Sequence, residues 1–287
     1  MKLALGTVQF GLDYGAFNTA GRPGEAMVAA CLDRAEEAGI DTLDTARAYG
    51  ESEAVLGRLG AARRFRVVTK VARLDGAGPD AVLASVEASL TALGADQLDA
   101  LMMHDAADLA GPGGDAVWAV LERLRAEDVI AAAGVSVYTP DEAVTLAGRY
   151  PIGIVQAPCS VFDQRMRTSG AFAALQARGV EIHVRSVFLQ GFALADPAAL
   201  PAALARHRPL LERFRAGADA AGFTPLRLAL AAVLAEPAID RVVVGVDGPD
   251  QLEEIIAAAE SALPELDPDL YASDDLGLIN PSLWNAA

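Results

Sequence analysis

One pattern recurs along the whole chain and limits what it can fold into. A short apolar, β-branched stretch ends on a polar residue, a loop follows, and an amphipathic helical stretch closes near a glycine or a turn. The stretches that read as strands are Leu3–Gly6, Ile40–Thr45, Arg66–Lys70, Leu98–His104, Ile130–Ser136, Ile152–Gln156, Val180–Arg185 and Arg241–Gly245. Helical periodicity lies between them, as in Glu25–Ala38, Pro79–Leu93, Asp115–Arg125, Asp141–Gly148, Gly170–Arg178 and Pro249–Ser261, with further helix between Pro201 and Ala235. Asp141 after Pro140 marks a helix start, and Gly39 and Gly179 follow helix ends. The 287 residues divide into units of about 36, the length of a strand–helix–strand step. Apolar strands alternating with helices call for a parallel sheet covered by helices. Eight such units predict an α/β protein, a (β/α)8 TIM barrel forming a single domain over residues 1–287. The competing doubly wound sheet wants a glycine-rich phosphate turn after its first strand, and Gly6-Thr7-Val8-Gln9-Phe10-Gly11 does not match one.

Composition fits that architecture. Hydrophobic residues make up 53% and charged residues 22%, enough to bury a large core and too apolar for a disordered chain. The net charge of −16 predicts repulsion from nucleic acid and from anionic membranes. The lone Cys31 and Cys159 read as buried thiols of a reducing compartment, and the three histidines lack zinc-ligand spacing. The N-terminus lacks a signal-peptide stretch, and the apolar run Leu228–Ala235 stops at Glu236, short of the ~18 residues of a span. A cytoplasmic protein is the expectation.

In a barrel, chemistry gathers at the C-terminal ends of the strands. Asp44, Lys70, His104, Ser136, Gln156 and Arg185 stand at or just beyond those ends. Singly, each has a plain structural role. Asp44 could cap a helix, Lys70 could reach solvent, His104 could be a hydrogen-bonded core residue, and Tyr49 could be half-buried packing. Together on one rim, such groups are costly unless they pair or work.

The segment Asp44-Thr45-Ala46-Arg47-Ala48-Tyr49-Gly50-Glu51-Ser52-Glu53, followed by Leu56-Gly57, resembles the aldo-keto reductase signature. Leu5-Gly6-Thr7, Thr69-Lys70, His104, Gly134-Val135-Ser136, Gln156 and the stretch Val244 to Glu254 are similar to that family in order and spacing. Gly11-Leu12-Asp13-Tyr14-Gly15 and the tail Ile279-Asn280-Pro281-Ser282-Leu283-Trp284 resemble a bacterial branch labelled with polysaccharide biosynthesis.

The resemblance implies reversible hydride transfer between a nicotinamide and an aldehyde, ketone or sugar, without a metal. Asp44, Tyr49, Lys70 and His104 would be the catalytic residues. Carbonyl reduction needs a proton donor at the oxygen, and Tyr49 is the natural one. The Lys70 ammonium is expected to lower the phenol's pKa, with Asp44 pairing Lys70 and His104 orienting the carbonyl. Ser136 and Gln156 would hold the carboxamide. Arg185 stands where relatives place an aromatic that stacks on the nicotinamide. Ser186, Phe188, Gln190 and Gly191 would line the pyrophosphate, and Gly245, Asp247 and Gln251 the adenosine end. Gly245 to Gln251 holds no cation but does hold Asp247, which would repel a 2′-phosphate and accept from ribose hydroxyls. NAD(H) is therefore expected in preference to NADP(H).

Other features carry less. Gly134-Val-Ser136-Val-Tyr138 lacks the closing glycine of a nucleophile elbow. Gly111 to Gly114 reads as a flexible rim loop, and His183 as structural. Trp284 either touches substrate or anchors the tail. Two competing functions are a nucleotide-sensing regulator on the same fold and a Schiff-base enzyme using Lys70, which the neighbouring Asp44 disfavours.

Overall fold

The computed structural model describes residues 1–265, 267 and 269–284; residues 266, 268 and 285–287 of the expected domain lie outside this range. Eight parallel strands close into a barrel in sequence order. They are β1 (Leu3–Gly6), β2 (Thr42–Asp44), β3 (Arg66–Val71), β4 (Leu98–Met103), β5 (Ile130–Ser136), β6 (Ile154–Pro158), β7 (Glu181–Arg185) and β8 (Arg241–Gly245). The covering helices are α1 (Glu25–Glu37), α2 (Ser52–Arg58), α3 (Pro79–Leu93), α4 (Gly114–Ala126), α5 (Pro140–Arg149), α6 (Ala171–Gln176), α7 (Arg208–Ala220), α8 (Pro225–Leu234) and α9 (Pro249–Glu260).

Register explains which residues reach the top of the barrel. Val68, Ala100, Met102 and Ile154 form an apolar cluster of their own inside it. Val68 pairs with Ala100, Lys70 with Met102, Gly134 with Ile154, and Ser136 with Gln156. Side chains alternate along a strand. The inward columns therefore run from Val68 to Lys70, from Met102 to His104, and from Ile154 to Gln156. Gly134 admits Met102: a Cβ there would meet Met102 Cγ at 3.0 Å and Ile154 O at 2.3 Å.

Several boundaries differ from the sequence reading. The sixth strand, expected at Ile152–Gln156, runs Ile154–Pro158 because pairing with β7 continues to Pro158 opposite Arg185. The cap of α5 is Thr139 rather than Asp141: its hydroxyl accepts from Glu142 N, and the Glu142 carboxylate accepts from Thr139 N. A one-turn helix, Ala107–Ala110, leads into the expected flexible loop, Gly111 to Gly114. There Gly114 is packed so tightly that a Cβ would lie 1.9 Å from Leu109 O. Cys31 and Cys159 are buried free thiols. Among the described residues, no single helix is long and apolar enough to cross a membrane.

A second apolar cluster packs the C-terminal segment against the loop after β7. It joins Phe162, Leu189, Phe192 and Phe214 to Tyr271, Leu278 and Trp284. Trp284 donates from Nε1 to Leu278 O at 3.2 Å. It anchors the tail and does not line the cavity described below.

Candidate active site

A cavity of about 570 Å3 opens at the C-terminal end of the strands, within the size range of small-molecule sites. At its floor Lys70 is fully buried on β3. Its Nζ donates to both Asp44 oxygens at 2.7 and 2.8 Å and to Thr45 O at 3.0 Å, and it lies 3.5 Å from the Tyr49 hydroxyl. The carboxylate offsets the cost of burying the ammonium. Burial presses the Lys70 pKa down most, but the charges and hydrogen bonds of Asp44 and Tyr49 together outweigh it and hold the value above the ordinary range. Lys70 is thus a fixed cation, which removes the free amine that a Schiff-base mechanism needs.

Tyr49 reaches the site from the loop after β2, and that loop is tied down at many points. Arg47 N donates to Lys70 O at 3.1 Å, and Thr45 N donates to Val68 O at 2.9 Å. Buried Glu53 accepts from Arg47 at 2.5 Å and from Thr69 Oγ1 at 2.6 Å. Ser52 Oγ donates toward Thr7, binding the loop to the end of β1. Gly11 permits the closest approach: a Cβ on it would sit 1.8 Å from Tyr49 O. Gly50 turns the chain at φ +56°, with the Gly11 carbonyl beside it.

The Tyr49 phenol departs from the sequence expectation. Burial pushes its pKa up, and the pull of the Lys70 ammonium is smaller than that push and partly offset by Asp44. The hydroxyl therefore keeps its proton above the ordinary tyrosine range rather than below it. His104 stands edge-on to the Tyr49 ring, with centroids 5.8 Å apart. Burial, and then the Lys70 charge, lower its pKa to about 4. Its imidazole is neutral at physiological pH.

Every residue the sequence pointed to lines this cavity except Lys70, which lies just beneath Tyr49. Asp44, Tyr49, His104, Ser136, Gln156, Arg185, Ser186, Phe188, Gln190, Gly191, Gly245, Asp247 and Gln251 all face it. Gln156 donates from Nε2 to Asp44 Oδ1 at 2.6 Å, which fixes the orientation of its amide. Its buried Oε1 has no partner among the described residues. An acceptor left bare at that depth fits an amide N–H donor such as a nicotinamide carboxamide. Ser186, Leu189, Gln190 and Gly191 all have positive φ. Leu189 N and Gly191 N donate within the turn, to Ser186 O and Phe188 O at 3.0 Å each, and close a tight loop at the cavity wall. Gly245 gives the chain no side chain where a Cβ would strike the amide of Gln9 at 2.6 Å. The donor and acceptor set therefore suits a nicotinamide dinucleotide.

Among the lining residues that sequence reasoning passed over are Gln9, Tyr14, Tyr138 and Glu254. Tyr14 and Tyr138 are 38% and 41% exposed at the rim. The Tyr14 hydroxyl accepts from Gln190 Nε2 at 3.2 Å, and Ala16 N donates to Gln190 Oε1 at 3.2 Å. The loops after β1 and β7 thus meet over the cavity. Glycine-rich spacing around Tyr14 was the signal available, but which loop it would touch was not in the sequence.

The closed barrel and the buried carboxylate–ammonium–phenol set define an oxidoreductase scaffold of the nicotinamide-using kind. The chain belongs to the aldo/keto reductase family, whose sequence profile matches residues 2–270, and this places it among NAD(P)-dependent oxidoreductases. A Pseudomonas aeruginosa protein described as an aldo-keto reductase superposes with a TM-score of 0.70 at 25% identity, over 90% of this chain and 89% of that one. The holo form of an aldo-keto reductase from Bacillus halodurans superposes with a TM-score of 0.77 at 23% identity, over 94% and 90%. An oxidoreductase of Leptosphaeria maculans, sirO, is 48% identical over 77 residues, a match that spans 25% of this chain and 23% of that protein.

Proposed function

We propose that the protein reduces an aldehyde, ketone or sugar carbonyl, or oxidises the corresponding alcohol, with Tyr49 as general acid and base. The observation that carries this reading is Lys70 held 2.7 Å from Asp44 and 3.5 Å from the Tyr49 hydroxyl, beside the bare Oε1 of Gln156. A nicotinamide held in this cavity would supply the hydride for the carbonyl carbon. The carbonyl oxygen gathers negative charge as that happens, and Tyr49 gives it the phenolic proton. Lys70 steadies the phenolate left behind, and Asp44 keeps Lys70 charged and in place. Neutral His104 donates a hydrogen bond that orients the oxygen without competing for the proton. Ser136 and Gln156 would hold the carboxamide. Ser186, Phe188, Gln190 and Gly191 would line the pyrophosphate, and Arg185, at the end of β7, would stand beside the nicotinamide.

At the adenosine end, Gly245, Asp247, Gln251 and Glu254 line the cavity and offer no cation. Asp247 N donates to Gln251 Oε1 at 2.9 Å, and Gln251 Nε2 donates back to Asp247 Oδ2 at 3.2 Å. A carboxylate held there favours ribose hydroxyls over a 2′-phosphate. NAD(H) is the preferred cofactor on this reading.

The test is a fluorescence titration with NADH and NADPH followed by a carbonyl and sugar panel, with Tyr49→Phe as control. NADH should bind more tightly than NADPH, and Tyr49→Phe should lose at least about a hundredfold in kcat, the size expected of a general acid, while still binding cofactor. Tighter NADPH binding removes the cofactor preference. Wild-type rates in Tyr49→Phe remove the acid assignment. Cofactor binding with no turnover on any carbonyl would favour a nucleotide-sensing regulator.

A further inference from the structure

Arg185 is the only lysine or arginine that lines the cavity among the described residues. Most of the chain's cations sit in ion pairs, as expected where 39 acidic residues outnumber 23 basic ones. Arg185 has no carboxylate partner among the described residues. Its guanidinium donates to Val137 O at 3.0 Å and to Ser186 Oγ at 3.3 Å, and its Cζ lies 4.4 Å from the centroid of the Tyr138 ring. Two of its five N–H donors are thereby used, and the others remain for a ligand. Holding a half-buried guanidinium unpaired costs free energy that an anionic ligand would recover.

The direction of the side chain decides which anion. Arg185 ends β7, and its guanidinium reaches past β6 to Val137 and Tyr138 in the loop after β5. The loop after β8, which carries the adenosine end, lies on the side of β7 away from β6. The guanidinium reaches away from that end, to Val137 O and the Tyr138 ring, into the part of the cavity it shares with Tyr49, His104 and Tyr138. Its positive charge acts on both Tyr49 and His104. The carboxylates lining the cavity do not offset it: Asp44 is paired with Lys70, while Asp247 and Glu254 line the adenosine end.

We propose that Arg185 is a specificity-determining residue that binds a carboxylate on the substrate, so that the preferred substrates are carbonyl compounds carrying an acid group, such as sugar acids and aldehyde acids. This rests on the reductase reading above. Tyr138 would hold the guanidinium flat and present its free edge to the carboxylate, a geometry that suits two parallel N–H donors on two oxygens. An acidic molecule with a net charge of −16 repels anions at long range, so a single cation inside the pocket would do the recognition at short range, where screening is weak.

The test compares matched pairs with NADH: 4-carboxybenzaldehyde against benzaldehyde, and D-glucuronate against D-glucose. The wild type should prefer the acid member by about tenfold or more in kcat/KM, the range of a charged hydrogen-bonded contact. In Arg185→Leu that ratio should fall below about threefold, through a rise in KM for the acid member, and Arg185→Lys should restore part of it. Binding of 4-carboxybenzyl alcohol to the NADH complex, followed by fluorescence, should weaken in parallel. Equal rates on both members of each pair, or a preference that survives in Arg185→Leu, overturn the carboxylate assignment and leave the reductase reading standing. Failure of every member to react while NADH binds overturns the reductase reading itself, and this assignment with it.

Discussion

His104 sets a limit on what pH can do to the site. Its pKa, about 4 in the folded chain, lies below the ordinary histidine value near ~6.5. Burial opposes the imidazolium, and the fixed Lys70 cation opposes it further. The unfolded chain binds this proton more readily, so the group's stability contribution is complete above the unfolded pKa. That contribution fades as pH falls from about 6.5 toward 4. The reduction rate should therefore show no histidine step between pH 5 and 8, and the His104 ring should titrate below pH 5 by NMR. A midpoint near 6.5 would mean the imidazole is solvated, contrary to its burial. Tyr49 teaches the complementary lesson. The motif placed it correctly beside Lys70, but the sign of its pKa shift follows from burial, which no residue spacing encodes. Arg185, Tyr138 and Tyr14 extend that lesson, because one guanidinium and two tyrosine rings from separate loops line one cavity only after the barrel closes.

At the scale of elements, the inward columns of the strands were readable and the loops were not. Strand alternation put Lys70, His104, Ser136 and Gln156 at the barrel mouth because side-chain direction has a strict period of two. The loop after β2 carries the phenol, and its shape depends on a neighbour far away in sequence. Gly11 ends a one-turn helix, Val8–Gly11, and its Cα faces Tyr49 O and Ser52 N. Gly11→Ala should push this loop away from Lys70. The expected result is a fall of about tenfold or more in kcat, since small misplacements of reacting groups cost rate steeply, with a stability loss of about 1–3 kcal/mol from overpacking. Steady-state kinetics and chemical denaturation measure both; unchanged kcat would show that Tyr49 is positioned by other contacts. The same logic explains Gly114, whose place in a tight turn cannot be told from a flexible glycine run without the facing Leu109 carbonyl.

Across the whole molecule, the two mouths of the barrel do different work. The mouth at the strand C-termini holds the cavity, and the opposite one is closed by ion pairs. Arg66 on β3 grips both oxygens of Glu181 on β7 at 2.5 and 2.7 Å. Buried His183 shares that carboxylate at 2.7 Å through Nε2, in keeping with the structural role expected of it. Burial works to raise the Glu181 pKa, but the hydrogen bonds from His183 and Arg66 prevail and hold it well below the usual carboxylate range. A depressed carboxylate contributes stability above its unfolded pKa and loses it as pH falls. Glu181→Gln should lower stability at pH 7 by about 1–3 kcal/mol, and the gap to wild type should begin to narrow below about pH 4, where the unfolded chain takes up a proton that the folded carboxylate still excludes. A gap that stays constant down to pH 3 would show that the carboxylate charge is not what matters.

The chain's own order of residues determined the eight repeated units, the closed parallel sheet they imply and the set of groups carried at its mouth. These follow from hydrophobic periodicity and strand alternation, which are local properties of the backbone. Only the tertiary structure decided the proton affinity of the phenol, the contact of the loops after β1 and β7 above the cavity, and the unpaired guanidinium beside Tyr138. Burial, close approach and charge pairing are distances between segments far apart along the chain, and they take their values only when the barrel is closed.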